Sequence, residues 1–413
     1  MKRLAWHRSR ASIACVTMVV TATFGTLIAC ADSTIVGNEE TPDGGAVIPP
    51  APDGGGAETE AAAEVPDAAP DVDATLPLCS KDDFCHTVVP TGLSLIGVWG
   101  DGTGVVWALS SDGDIVRWDG SAWNIHQQTG AQGHSIWGSG PTDVWVASGG
   151  GILHGTGASS ASLVFSTVDD LPGDPNVPIS SIWGTGPDDI WAVGMFQDWE
   201  QWPPVFSGRV LHFGGAGEGD GTWTSDDELA SMGLGFRAVW GSSTSGVWLD
   251  GLGADDMGAF IRLVRRPKGA SDWTVTSLPG LQDYAIGLHG AALISDSSVL
   301  LSGVTGVPEE SFKTTWRGTS ADNGATFKWT YANQPFWMRE AFAYWGTGAN
   351  DAWGVGENGL VSHWNGTTWT QAVLRVTDAP VGKTLRAIWG TSNDDLWVVG
   401  DGIALHKTTA GKP

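Results

Sequence analysis

The sequence predicts an all-β, seven-bladed β-propeller with four antiparallel strands per blade. Three observations predict it. Tryptophans recur in pairs eight residues apart, at Trp99/Trp107, Trp137/Trp145, Trp183/Trp191, Trp240/Trp248, Trp345/Trp353 and Trp389/Trp397. Each unit holds four strand-like runs separated by turn residues. The last unit stops one strand short. Six pairs at a constant spacing are an internal repeat, and a four-stranded unit of roughly 40–45 residues is the blade of a propeller.

The unit around residue 340 displays its elements in order. Strand a runs from Glu340 to Trp345, b from Asp351 to Val355, c from Leu360 to Trp364 and d from Thr368 to Val373. Asn365-Gly366 and Asp119-Gly120 are hairpin signals, because both residue types accept positive φ. A seventh copy sits between the fourth and fifth pairs. It reads Gly287-Leu288-His289-Gly290, then Val299 to Gly303, without either Trp and with what reads as a longer turn. Each blade is sandwiched between two others, so the paired indoles are expected to fill the space between sheets. The repeated Asp143, Asp189, Asp351 and Asp395 before strand b read as turn formers. The final unit ends after a strand at Ile403 to His406. The unassigned run Phe84 to Val89 is expected to supply its fourth strand, closing the ring and removing open sheet edges. Cys79 and Cys85, at the start of the domain, are expected to form a disulfide pinning that strand, provided the compartment is oxidising. The alternative, a metal site with His86, lacks a second ligand pair.

The composition agrees with many short strands: 59 Gly and 24 Trp among 413 residues. A net charge of −25 argues against a nucleic-acid or anionic-lipid surface. Acidity favours solubility, and would also attract basic partners or cations.

The first 29 residues have the form of an export signal. Basic residues at Lys2, Arg3, Arg8 and Arg10 precede an apolar or small run from residue 11 to 29. It ends in Leu27-Ile28-Ala29-Cys30, which resembles the lipobox of bacterial lipoproteins. The resemblance implies cleavage before Cys30 and lipidation of its thiol. An ordinary secretory signal and a retained helix are the alternatives, although a spanning helix needs roughly 20 apolar residues and this run is marginal. Ala31 at the next position implies, by the same resemblance, an outer-membrane location. Residues 31–78 contain eleven acidic residues and neither Lys nor Arg. Such a segment cannot offset the entropy of ordering a core, so residues 30–78 read as a lipidated Cys and a disordered Pro/Ala/Gly linker, roughly 40 Å in span. The propeller occupies 79–413.

The repeats resemble the WD/YVTN and BNR (Asp-box) propeller superfamilies. Ser320-Ala321-Asp322-Asn323-Gly324-Ala325-Thr326-Phe327 matches the Asp-box pattern, which in that family is a folding motif of the c–d turn. Shorter forms follow Trp118 and Trp364. Sialidases share this box, but the mature chain holds only Tyr284, Tyr331 and Tyr344, and no Arg-Ile-Pro-type motif precedes the repeats. That weighs against a sialidase.

In a propeller the a–b and c–d turns lie on one face and the b–c and d–a loops on the other. The long irregular segments here are 169–179, 195–207, 226–235, 304–312 and 333–339, all b–c or d–a. Binding sites usually lie on variable loops carried by a rigid scaffold. Trp199 and Trp202 fall outside the repeat and read either as exposed anchors for protein or carbohydrate or as a lid over the blade edges; Trp337 is similar. Three residues before the strand-a Trp stand Ile96, His134, Ser180, Arg237, Phe342 and Arg386, a ring expected at the channel mouth. His134, Arg237 and Arg386 could bind an anion or sugar there, or pair with loop carboxylates such as Asp169, Asp226, Asp255 and Glu309. Nothing reads as a catalytic triad, a phosphate loop or a zinc motif, so no catalytic residue, metal or cofactor is assigned. The leading expectation is a non-enzymatic, monomeric propeller, held at the membrane by its lipid anchor, recognising protein or glycan at the cell envelope. The alternatives are a glycoside hydrolase or lyase using loop carboxylates, and an envelope assembly factor.

Overall fold

The computed structural model describes residues 79–409 except 215–220, 257, 281–284, 308–309 and 375–380. The readings that concern the signal, Cys30, the linker, Tyr284 and Glu309 lie outside the described residues. Seven four-stranded antiparallel sheets follow one another along the chain. Blade 1 is Leu95–Gly100, Val106–Ser110, Asp114–Trp118 and Trp123–Gln128; blade 2 is Gly133–Gly140, Asp143–Ser148, Gly151–Thr156 and Val164–Thr167. Blade 3 is Ile179–Gly186, Asp189–Asp198, Val205–Gly214 and Thr222–Ser225; blade 4 is Gly235–Ser242, Gly246–Asp255, Gly258–Pro267 and Thr274–Thr276. Blade 5 is Ala285–Ser295, Ser298–Val307, Glu310–Thr319 and Lys328–Pro335; blade 6 is Ala341–Gly348, Asp351–Gly356, Leu360–Trp364 and Trp369–Gln371. Blade 7 takes strands a to c from Leu385–Ser392, Asp395–Gly400 and Ile403–Thr408.

The fourth strand of blade 7 is Phe84–Thr87, antiparallel to strand c with Phe84 opposite Lys407 and Thr87 opposite Ala404. The ring therefore closes between the two ends of the chain, as expected. The Cys79–Cys85 disulfide stands at the base of this strand. Thr87 ties it to the next blade as well, accepting from Trp123 Nε1 at 3.0 Å.

Each Trp pair sits directly cross-strand, Trp137 opposite Trp145 and Trp183 opposite Trp191. The two members do different work. In four of the six pairs the strand-a indole lies over a glycine of the following blade: a Cβ at Gly138 would come within 2.7 Å of the Trp99 ring, and one at Gly184 within 2.8 Å of Trp137. The strand-b indole is gripped by aromatics from strands c and d of the following blade or from the residue just before strand d. Trp107 meets Phe165, Trp145 meets Phe213 and Trp223, Trp191 meets Trp273, and Trp248 meets Phe327. Trp353 meets Phe84, and Trp397 meets Trp118 and Trp123. Trp107 and Trp191 are fully buried. Burying roughly 150–250 Å² at about 25 cal/mol/Å² contributes on the order of 4–6 kcal/mol gross per indole.

The repeated aspartates do more than form turns, which corrects the sequence reading. Asp143, Asp189, Asp351 and Asp395 each accept from a strand-c histidine, His154, His212, His363 and His406, at 2.6, 2.9, 2.6 and 2.8 Å. Each also accepts a hydroxyl from the a–b turn, from Ser139, Thr185, Thr347 and Thr391. The same histidines stack flat on the strand-b indoles, His154 on Trp145 with centroids 3.6 Å apart. Blades 1, 4 and 5 have Val105, Gly246 and Ser298 where the others have Asp, and their strand-c residue is Arg117, Arg265 or Arg317 instead of His. Where a carboxylate is present, an imidazole bonds it; where none is present, a guanidinium takes the place. Arg265 lies over Trp248 at 4.7 Å and donates to backbone carbonyls of Gly324 and Ala325 in the c–d turn of blade 5.

Two further readings change. Blade 5 has no longer a–b turn: Ala292 pairs with Leu300, keeping the spacing of eight, and Ala291 to Ser295 continue the strand. Asp119-Gly120 and Asn365-Gly366 open c–d hairpins, as expected. Asp119 and Asn365 each start a four-residue loop, accepting from the backbone N–H groups two and three residues on. Much of 195–207 and 304–312 is strand, because strands b and c of blades 3, 4 and 5 are each ten residues long and run past the sheet as tall hairpins.

Candidate binding site at the channel mouth

The innermost strand of every blade carries a β-bulge at the same place. The register shifts fall between Leu95 and Gly97, Gly133 and Ser135, Ile179 and Ser181, and Phe236 and Val239. The others fall between Leu288 and Gly290, Ala341 and Ala343, and Leu385 and Ala387. A bulged residue is left out of the ladder, and its side chain is re-aimed. The residues so released are Ile96, His134, Ser180, Arg237, His289, Phe342 and Arg386. Six of them form the ring read from the sequence. His289 was missed because blade 5 lacks the Trp used to count the offset, yet it stands three residues before Ala292, which occupies the Trp position.

Five of the seven, Ile96, Arg237, His289, Phe342 and Arg386, share one cavity of about 540 Å³ with Asp250, Leu288 and neighbouring small residues. The structure thus brings Arg237 and Arg386 together. His134 and Ser180 are not among the walls. Ser180 Oγ instead donates across the blade boundary to Phe236 O at 2.9 Å, and burial holds the His134 imidazole below its ordinary pKa.

Arg237, Arg386 and His289 each have a carboxylate behind them. Arg237 donates through Nε and Nη2 to Asp250 Oδ2, at 3.2 and 2.9 Å, and through Nη2 to Leu288 O. Arg386 forks onto Asp401 at 2.6 and 3.1 Å, and Ser94 Oγ donates to the same carboxylate. His289 Nδ1 lies 3.0 Å from Glu340 Oε1. The salt-bridge reading therefore holds for both arginines: Arg237 pairs with Asp250 on strand b of its own blade, and Arg386 with Asp401 in the short b–c turn of its own blade. These pairings still leave Nη1 of Arg237 and of Arg386 without an acceptor among the described residues. Asp250 is fully buried, and burial pushes its carboxyl up against the pull of Arg237. Its Oδ1 has no hydrogen-bond partner among the described residues. The cavity therefore offers guanidinium donors, an imidazole, and an apolar wall from Ile96, Leu288 and Phe342.

Trp199 and Trp202 stand apart from this cavity, at the tip of the blade 3 hairpin, 59% and 70% exposed. Trp199 meets Phe206 edge-on at 5.8 Å. Neither is folded down as a lid. Trp337, after strand d of blade 5, is 83% exposed.

No family model and no curated protein matches this sequence. Solved structures do match its fold. YCF48 bound to D1 peptide superposes with a TM-score of 0.54 at 16% identity, over 81% of this chain and 100% of that one. The chain is a seven-bladed β-propeller. YCF48 from Cyanidioschyzon merolae gives 0.54 at 12% identity, over 80% and 100%. Virginiamycin B lyase from Staphylococcus aureus gives 0.53 at 15%, over 80% and 97%. At these identities the likeness is one of fold, which propellers share across binding and catalytic proteins.

Proposed function

We propose that this propeller is a non-catalytic recognition module, tethered to the outer membrane through lipidated Cys30 and the linker, which binds an envelope protein or glycan on its variable face as a monomer. The observation that carries the reading is the convergence of five bulge residues on one cavity with spare guanidinium donors. Those donors suit an anionic group on the partner, a carboxylate or an acidic sugar. The peptide in one of the YCF48 structures supports a protein partner. The hydrolase reading requires a pair of carboxylates in suitable states. At this cavity the one upward-shifted carboxylate, Asp250, is bound to Arg237.

The test is capture from envelope extracts and on a glycan array, by the wild-type propeller and by the Arg237→Ala/Arg386→Ala double variant. Retention by the wild type and loss by the double variant is expected. Equal capture by both would sink the channel-mouth site. The tether is tested separately by mass spectrometry of the N-terminal peptide: a lipid-modified Cys30 is expected, and an unmodified thiol contradicts it.

A further inference from the structure

Six of the seven blade interfaces close in the same way, with a strand-b Trp held by aromatics from strands c and d of the next blade or from the residue just before strand d. The interface between blades 5 and 6 keeps those aromatics and lacks the Trp. Trp364 and Trp369 of blade 6 stand with centroids 5.6 Å apart, tilted by 45°, and Tyr344 approaches Trp369 at 6.2 Å. The strand-b position facing them is Leu300. It pairs with Arg317 as Trp248 pairs with Arg265 one blade earlier. A cavity of about 440 Å³ results, walled by Leu300, Tyr344, Trp364 and Trp369, with Trp337 and Arg339 at its rim. Protein interiors are otherwise close-packed, with few voids larger than a water molecule. The fold has its own way of filling this one, used six times in the same chain.

The rim points to a macromolecular partner. Phe336, Trp337 and Met338 follow one another in the d–a loop, exposed by 55%, 83% and 44%. Aromatic residues and Met are the types enriched where proteins meet. In blades 2 and 3 the strand-b indole N–H is accepted by Asp143 or Asp189. The polar walls of this cleft, Gln334 and Glu340, stand at its other end, beside the d–a loop.

We propose that the cleft between blades 5 and 6 is a receptor for an aromatic side chain, an indole above all, presented by a partner polypeptide and seated where the other interfaces seat their own strand-b Trp. The site is separate from the channel mouth, and its test involves neither Arg237 nor Arg386. The full chain is titrated with N-acetyltryptophanamide, N-acetylleucinamide and methyl glucoside, followed by saturation-transfer NMR. The tryptophan amide is expected to bind in preference to the other two. Leu300→Trp, which copies the pairing of Trp248 with Arg265, is expected to fill the cleft and weaken binding by about tenfold or more, the effect of losing a buried aromatic anchor, without lowering Tm. Trp369→Ala removes one wall, is expected to weaken binding similarly, and decides alone should Leu300→Trp not fold. Absence of transfer to the tryptophan amide, undiminished transfer in the variants, or preference for the glucoside would each overturn the assignment.

Discussion

At the scale of single residues, the glycine after each strand-a Trp is a packing requirement. A Cβ at Gly138 would meet the Trp99 ring at 2.7 Å, whereas one at Gly140 would meet nothing within 4 Å. Gly138→Ala is expected to cost about 1–3 kcal/mol by overpacking, and Gly140→Ala far less; thermal melts of the pair check this. Asp189 is held down to about 2 from 3.8, chiefly by its hydrogen bond from His212. Asp143 and Asp351 are lowered too, their hydrogen bonds outweighing burial. A carboxylate with a depressed folded pKa stabilises above its unfolded pKa and loses that contribution as pH falls through the folded value. Stability should therefore fall as pH drops from about 4 toward 2, and Asp189→Asn should flatten that dependence in acid unfolding followed by Trp fluorescence. An unchanged slope would deny the imidazole–carboxylate bond a part in stability. None of this network was legible in the sequence. The Asp-to-His separation varies from 11 residues in blade 2 to 23 in blade 3, set by hairpins of different length, so no fixed spacing marks it.

At the scale of elements, ring closure was legible because a missing strand at one end of the chain matched a spare one at the other. The tall hairpins were not, because tips such as Trp199 to Pro204 break the alternation by which strands are read. The closing strand carries its own prediction. Breaking the disulfide with Cys79→Ser/Cys85→Ser removes the cross-link over a short loop, a loss of about 2 kcal/mol on the chain-entropy model. It should act locally: amide exchange should accelerate in Phe84–Thr87 and in its partner Ile403–Thr408, and much less in blade 3. Uniform acceleration would mean that closure is not a separable unit.

At the scale of the whole molecule, one rigid ring presents two unlike faces. The a–b and c–d face repeats the Asp–His and loop hydrogen bonds and serves the scaffold. The other carries the bulge residues, the hairpins of blades 3 to 5 and the exposed Trp199, Trp202 and Trp337. The sequence indicated this division through loop length alone, and it also indicated the ring position, because the offset from Trp is constant in six units. Which ring members share a cavity was not legible, since that depends on how far each side chain reaches across the channel. The most direct measurement is site-specific photocrosslinking in envelope extracts, with a benzophenone amino acid in place of Phe342 on the variable face or Thr347 on the opposite one. Adducts from position 342 and none from 347 are the predicted result. Adducts from 347 alone would place recognition on the scaffold face and contradict the proposed function.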